Sequence, residues 1–307
     1  MSIASRQSTW TERWFHAMGS EVHVQVLADR TDLVADVGEQ LGELEECWSR
    51  FRPSSELCRL NEDRRTSIGV SPLLMAPLHR ARVAWDLTEG RFDPTVHDSL
   101  RAAGYAETFP TTATRRGDLT RCRPADGMGA VTLDLERNVI ERPSGLRFDL
   151  GGIGKGLAAD IIATRLVERG AAGVCIGMGG DVRVAGTAPP GGWVVPVEDP
   201  RGAGSERLGD IWFDATLDAG AIVTSTRLFR AWTTVSGERA HHIIEPASGR
   251  PAEAGVDAAV VAAAEAWWAE ALAKAALVAG PVEGRQLLER HGATGWIVPT
   301  AFAEAAS

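Results

Sequence analysis

Basic charge is scarce in this chain. Its 307 residues carry 32 Lys and Arg against 41 Asp and Glu, a net charge of −9, with a pI near 5.4. Nucleic acid or an anionic membrane would need a broad basic face, so both are excluded as general partners, although one local cationic pocket remains compatible with the balance. Long uncharged apolar runs are missing too. The most apolar stretch, 256–280, contains Asp257, Glu265, Glu270 and Lys274 and therefore reads as a buried element instead of a membrane span. The opening "MSIASRQSTWTERWFHAMGS" holds Arg6, Glu12 and Arg13 and no continuous apolar core, which excludes a signal peptide. Cysteine is sparse and scattered: Cys47, Cys58, Cys122 and Cys175 form no CxxC pair, so neither a zinc site nor a disulfide framework is expected. These absences together predict a soluble, cytoplasmic protein. No internal repeat or low-complexity segment is present.

What is present alternates between two periodicities. Residues 14–27 read as a strand with Val22, Val24 and Val26 on one face. "TDLVADVGEQLGELEECWSRF" has helical spacing at Leu33, Val37, Leu41, Leu44 and Trp48, with Thr31 or Asp32 as its cap. A short capped helix follows in "PSSELCRLN", and another amphipathic helix over 72–88 ends before Gly90. "AVTLDLERNVIERPSGLRFDL" reads as a strand pair. A helix then runs to about 169, and a strand lies in "GVCIGMGGDVRVAG". Further strands fit "WVVPVE", "AIVTST", "HHIIE", "DAAVVAAA" and "GWIVP", with a helix over roughly 265–279 stopped by Gly280 and Pro281. Mixed strand pairs and isolated helices predict an α+β fold. The expectation is one unit over 14–300, with subdomains of about 14–128 and 129–300 flanking a ligand cleft, and flexible termini at 1–13 and 301–307.

Four segments carry candidate chemistry. "FDLGGIGKG" sets Gly151, Gly152, Gly154 and Gly156 with Lys155 at the start of a helix. Backbone free of side chains at a helix N-terminus suits phosphate, through unpaired N–H groups and the positive dipole end. The spacing is neither a Walker A motif nor a dinucleotide fingerprint, and a plain tight turn capped by Asp149 explains it locally as well. "GMGGDVRVAG" pairs Gly179 and Gly180 with Asp181, read as either a bulge or a second approach to a ligand. "RAHHIIEPASGRP" places His241 and His242 on opposite faces of a strand, one of them positioned to relay a proton. Glu270 and Lys274 stand four apart on a helix, the spacing of a surface ion pair.

In series, "FHAMGS", "GRFDPT", "DLGGIGKG", "GGDVRVAG", "VTSTR", "HHIIEPASGRP" and "AEALAKAALVAG" resemble the ApbE family, whose members are FAD:protein FMN transferases. The resemblance spans nearly the whole chain and implies an ApbE-like, T-fold-like α+β architecture. It implies FAD as substrate, Mg²⁺ beside it, and transfer of FMN to a Thr or Ser hydroxyl of an acceptor flavoprotein with release of AMP. It assigns flavin contacts to Met18, Phe51, Arg91, Phe92, Asp93, Gly151, Leu157 and Ile244, further contacts to Lys155, Asp181 and Ser225, and proton transfer to His242, with His241 the alternative. A metal would lie about Gly154, Glu270 and Ala273.

At that metal position the chain departs from the family. Members place an Asp and a Thr one helical turn apart, where this chain has Glu270 and Lys274. An ammonium offers donors and no acceptor, so it cannot ligate magnesium. Either Lys274 replaces the cation, or the protein binds FAD as a carrier or sensor without transferring it; an FAD hydrolase giving FMN and AMP is a further alternative. Thr226 beside Ser225 is another departure, expected to narrow the pocket.

Overall fold

The computed structural model describes residues 8–108, 114–202, 207–213 and 219–300. Of the expected flexible ends at 1–13 and 301–307, residues 1–7 and 301–307 lie outside the described residues, whereas 9–13 belong to a strand paired along its length. The centre is one seven-stranded antiparallel sheet: β1 (Thr9–Ala17), β2 (Ser20–Ala28), β3 (Gly173–Met178), β4 (Asp181–Gly186), β5 (Ala219–Thr226), β6 (Val256–Ala263) and β7 (Thr294–Pro299). Each strand hydrogen-bonds to the next in this order, so the sheet is a meander with long segments inserted between strands. Strands from both ends of the chain therefore share one sheet across the expected subdomain boundary.

The helices are α1 (Val37–Trp48), α2 (Glu56–Glu62), α3 (Pro72–Leu87), α4 (His97–Ala102), α5 (Gly154–Glu168), α6 (Ala266–Ala279) and α7 (Pro281–Arg290). Helices α5 and α6 lie against the sheet with α1, α3 and α7 around them, closing one large core that includes Val24, Leu44, Leu78, Ile162, Val261 and Leu272. Alternation in β2 buries Val22, Val24 and Val26 as the spacing predicts. β6 is buried along nearly its whole length, which is why 258–263 is an unbroken Ala/Val run. Its second face is covered by a hairpin of residues 193–198 and 207–213, through Trp193, Val197 and Phe213. A smaller cluster of Leu100, Tyr105, Leu119, Trp232 and Ile244 stands apart from the main core.

Several expected elements are corrected. The single strand at 14–27 is two strands, reversed at Met18 and Gly19, whose φ values of +53° and +66° make the two-residue turn that matches the twist of a hairpin. "GVCIGMGGDVRVAG" is likewise a hairpin, not one strand: Gly179 and Gly180 have φ of +62° and +94° and form its turn, with Met178 opposite Asp181. α1 begins at Val37 after a separate short turn at Asp32–Val34, and Thr31 makes no side-chain cap. The strand expected through "HHIIE" stops at His241. α2 is capped as expected, with Ser55 Oγ accepting the N–H of Cys58 at 2.9 Å. α6 ends at Gly280, whose φ of +89° breaks the helix before Pro281.

Candidate active site

Between the start of α5 and the smaller cluster lies a cavity of about 480 Å³, within the size range of small-molecule sites. Its floor is the glycine-rich turn. Asp149 Oδ1 accepts the N–H of Gly151 at 2.7 Å, the turn-capping role its position suggested. The N–H of Asp149 in turn donates to Pro94 O at 2.7 Å, which fastens this turn to the "FDPT" segment. Within that segment Asp93 caps the turn, accepting Thr95 N–H at 2.8 Å, Thr95 Oγ1 at 2.7 Å and Trp85 Nε1 at 3.0 Å. Burial raises the Asp93 pKa above the ordinary carboxylate value despite these donors.

Gly152 has a specific reason to lack a side chain. A Cβ there would lie 2.9 Å from the Phe92 ring and 3.2 and 3.3 Å from Cδ and Cε of Lys274. The stem of Lys274 thus crosses the turn at its one bare position and delivers its ammonium to the cavity wall. Behind that wall sits Glu270, fully buried. Its Oε1 faces Lys274 Nζ at 3.2 Å and Lys155 Nζ at 3.4 Å, while Oε2 accepts the N–H of Gly156 at 2.9 Å. Lys155 also pairs with Asp181, whose other oxygen accepts the N–H of Thr224 at 2.9 Å. Burial opposes the charge on Glu270, but the two ammoniums and the Gly156 N–H outweigh it and hold the carboxyl well below its usual range. Burial likewise opposes the charge on Lys155, and Asp181 and Glu270 outweigh it to raise that amine. Lys274 shifts down, since burial and the neighbouring Lys155 exceed the pull of Glu270.

This arrangement was tested against a divalent ion. Both Glu270 oxygens already have partners, the adjacent position on the helix presents an ammonium, and Ala273 is buried with no ligating atom in its side chain. Among the described residues no three His, Cys, Asp or Glu side chains cluster to hold a metal. Magnesium requires near-octahedral oxygen ligands at about 2.0–2.1 Å. The residues present do not fit it.

The two histidines separate cleanly. His241 is buried, its Nε2 within 3.0 Å of Ala252 O and its Nδ1 accepting Ile243 N–H at 3.3 Å, so both ring nitrogens are engaged in holding the loop. His242 lines the cavity, and its Nδ1 is enclosed without a hydrogen-bond partner among the described residues. Burial first, then the charges of Arg230 and Lys274, hold His242 well below its usual pKa and therefore neutral.

Of the residues singled out from sequence, Met18, Phe51, Arg91, Phe92, Asp93, Gly151, Gly154, Lys155, His242, Ile244 and Lys274 line this one cavity. Asp181 and Glu270 stand one layer behind, reached through Lys155. Leu157 is buried in α5. Ser225 is buried in β5, and Thr226 next to it spends its hydroxyl on Asp257 O at 2.9 Å, so it does not narrow the cavity. Gly179 and Gly180 are also off the wall; the second glycine bend serves its hairpin and brings in only Asp181.

Sequence reasoning missed Arg50, Tyr105 and Arg230. Arg50 pairs with buried Asp149 and lies over the rings of Phe51 at 4.0 Å and Tyr105 at 4.5 Å, leaving Nη2 enclosed and unpartnered. Its signal was adjacency to Phe51 in "WSRF". Arg230 lines the wall near His242 and makes no ion pair among the described residues. Nothing local in "RLFRAW" marks it. A strongly acidic chain thus gathers Arg50, Arg91, Lys155, Arg230 and Lys274 around one cavity, beside the carboxylates of Glu45, Asp93 and Asp149.

The chain matches the sequence profile described as the ApbE family over residues 18–297. A protein named FAD:protein FMN transferase from Vibrio cholerae serotype O1 is 27% identical over 273 residues, covering 86% of this chain and 78% of that protein. One of the same name from Treponema pallidum is 28% identical over 247 residues, covering 76% and 67%. Among solved structures, the ApbE protein of Thermotoga maritima superposes with a TM-score of 0.80 at 24% identity, covering 97% of this chain and 99% of that one. The flavin transferase ApbE of Vibrio cholerae gives 0.76 at 23% identity, covering 95% and 94%. At that identity the likeness establishes the fold.

Proposed function

The chain belongs to the ApbE family, and from that premise we propose that it transfers the FMN half of FAD to a Thr or Ser hydroxyl of an acceptor flavoprotein. The observation that carries this reading is a neutral, unpartnered His242 on the wall of the same cavity as the glycine-rich turn, Lys155 and Lys274. Relatives named FAD:protein FMN transferase support it.

The acceptor hydroxyl oxygen bonds to the FMN-side phosphorus, and the bond from that phosphorus to the bridging oxygen breaks. AMP departs with the bridging oxygen and its electron pair, while the hydroxyl proton passes to His242. Phosphoryl transfer asks the protein mainly for positioning and charge neutralisation. The ammoniums of Lys155 and Lys274 on the cavity wall answer the charge requirement, and the aromatic wall of Phe51 and Phe92 suits a flavin ring. Lowering of the His242 pKa keeps it in the base form at neutral pH. Magnesium is the family's usual charge neutraliser at this point, and Lys274 stands in its way.

We read residues 14–300 as one catalytic unit acting in the cytoplasm, a setting supported by four free thiols. No helix among the described residues is long and apolar enough to cross a membrane.

The test is incubation with FAD and an acceptor flavoprotein, following acceptor mass and free AMP. Transfer raises the mass and releases AMP together. His242→Gln should lower the rate by about 10²–10⁴-fold while FAD still binds. AMP without a mass gain would identify a hydrolase, and bound FAD with neither product would identify a carrier.

A further inference from the structure

Resting on the flavin-transferase reading, we propose that Lys274 is a built-in cation: its ammonium occupies the place of a divalent metal and neutralises the FAD diphosphate directly, so that the protein binds its dinucleotide without metal.

Three observations converge. Lys274 Nζ stands 3.2 Å from Glu270 Oε1, with its stem passing Gly152, where a Cβ would come within 3.2 Å of Lys274 Cδ and 2.9 Å of the Phe92 ring. The glycine turn is therefore shaped around this lysine as well as around a ligand. Both Glu270 oxygens are engaged within the protein, Oε1 by the two ammoniums and Oε2 by Gly156 N–H at 2.9 Å. Charge supplies the third observation. Lys155 and Lys274 balance Asp181 and Glu270, two cations against two anions, so the quartet is neutral. An uncharged residue at 274 would leave one net negative charge in a buried cluster, which is what attracts a divalent cation. With lysine the cluster has no net negative charge to draw one in.

A lysine ammonium is a compact point charge with three donors and serves phosphate well. It carries one charge less than magnesium, and Arg230, on the same wall and without an ion-pair partner among the described residues, supplies the difference. The exchange has a chemical consequence. A protein that holds its own cation keeps its affinity when free magnesium falls, whereas a metal-bridged site loses it.

The experiment uses the purified full-length chain. FAD affinity is measured by flavin fluorescence in chelator and in millimolar Mg²⁺, metal content by elemental analysis, and Mn²⁺ binding by electron paramagnetic resonance. For the unaltered chain the two dissociation constants should agree within about twofold, with no stoichiometric metal. Lys274→Met, which keeps the stem and removes the charge, should weaken FAD binding about tenfold or more in chelator. Lys274→Thr should weaken it similarly in chelator, recover with Mg²⁺, and bind Mn²⁺ where the unaltered chain does not. A tenfold or greater loss of affinity on chelating the unaltered chain, reversed by Mg²⁺, overturns the proposal even if neither variant folds. So does Mn²⁺ binding by the unaltered chain equal to that of Lys274→Thr. Failure to bind FAD under either condition overturns the flavin-transferase reading itself, and is thereby distinguishable from metal-dependent binding, which overturns only the inference.

Discussion

Gly156 offers the sharpest test of how the site is assembled. It lies in the first turn of α5, where a Cβ would come 2.5 Å from Ala266 O, 2.6 Å from Ala266 C and 2.7 Å from Trp267 N. All three are backbone atoms at the start of α6 and cannot swing aside. Ordinary contact begins near 3.4 Å, so Gly156→Ala requires the two helices to part by 0.9 Å, the difference between 3.4 and 2.5 Å. Overpacking of this kind costs about 1–3 kcal/mol, and the helix propensity gained by alanine returns up to about 1 kcal/mol. A net loss of about 1–2 kcal/mol is expected in urea unfolding.

The functional effect should exceed the stability effect. The same displacement lengthens the 2.9 Å bond from Gly156 N–H to Glu270 and withdraws the α6 wall that carries Lys274. Misplacement of a positioning group by about 1 Å can cost about a hundredfold. FAD affinity by fluorescence titration should fall at least about tenfold. Gly154→Ala is the stability control: its Cβ would find only Trp48 Cε3 at 4.0 Å, so the change should be neutral or stabilising by a few tenths of a kcal/mol. If Gly156→Ala is as stable as the unaltered chain and binds FAD equally, the close helix contact does not position the site and the reasoning is refuted.

Other perturbations test its supports. Asp160 accepts the N–H groups of Ala266 and Trp267 at 3.0 and 2.9 Å and pairs with buried Arg183, so it holds the start of α6 from outside that helix. Asp160→Ala strands a buried guanidinium and two donors, and unfolding free energy should fall by about 3–5 kcal/mol; a loss under 1 kcal/mol would show that α6 is held otherwise. Burial depresses His241 from 6.5 to about 4. The unfolded chain therefore takes up the proton first, so the stability this group contributes is complete above pH 6.5 and is lost as pH falls towards 4. That loss amounts to about 3 kcal/mol in total. Denaturation midpoints between pH 7 and 4.5 should fall less steeply in His241→Gln, and an unchanged slope would locate the acid sensitivity elsewhere. Arg50→Met should weaken FAD binding several-fold, since Arg50 lines the cavity and holds Asp149 of the glycine-rich turn; unchanged affinity by fluorescence titration would remove Arg50 from the site.

How far the chain could be read without coordinates varied with the kind of signal. Local chemistry was legible where one segment decides its own shape. Ser55 caps α2, Gly280 and Pro281 stop α6, and the β2 valines alternate into the core because these features need no distant partner. The serial motifs located most of the cavity wall, and together they identify the family. Boundaries failed where a hairpin turn was hidden inside an apolar run, as at Met18–Gly19 and Gly179–Gly180.

The sequence by itself determined the α+β class, the family, and the presence of Glu270 and Lys274 one helical turn apart, because composition, turn chemistry and residue identity are local properties. Only the tertiary structure decided which histidine faces the cavity, that the second glycine bend stays off it, and that Arg50 and Arg230 join its wall. It also decided that Lys155, Lys274, Asp181 and Glu270 close into one neutral cluster. Those residues come from α5, β4 and α6, separated by tens of positions, and the strength of each charge depends on burial and on partners that no single segment supplies.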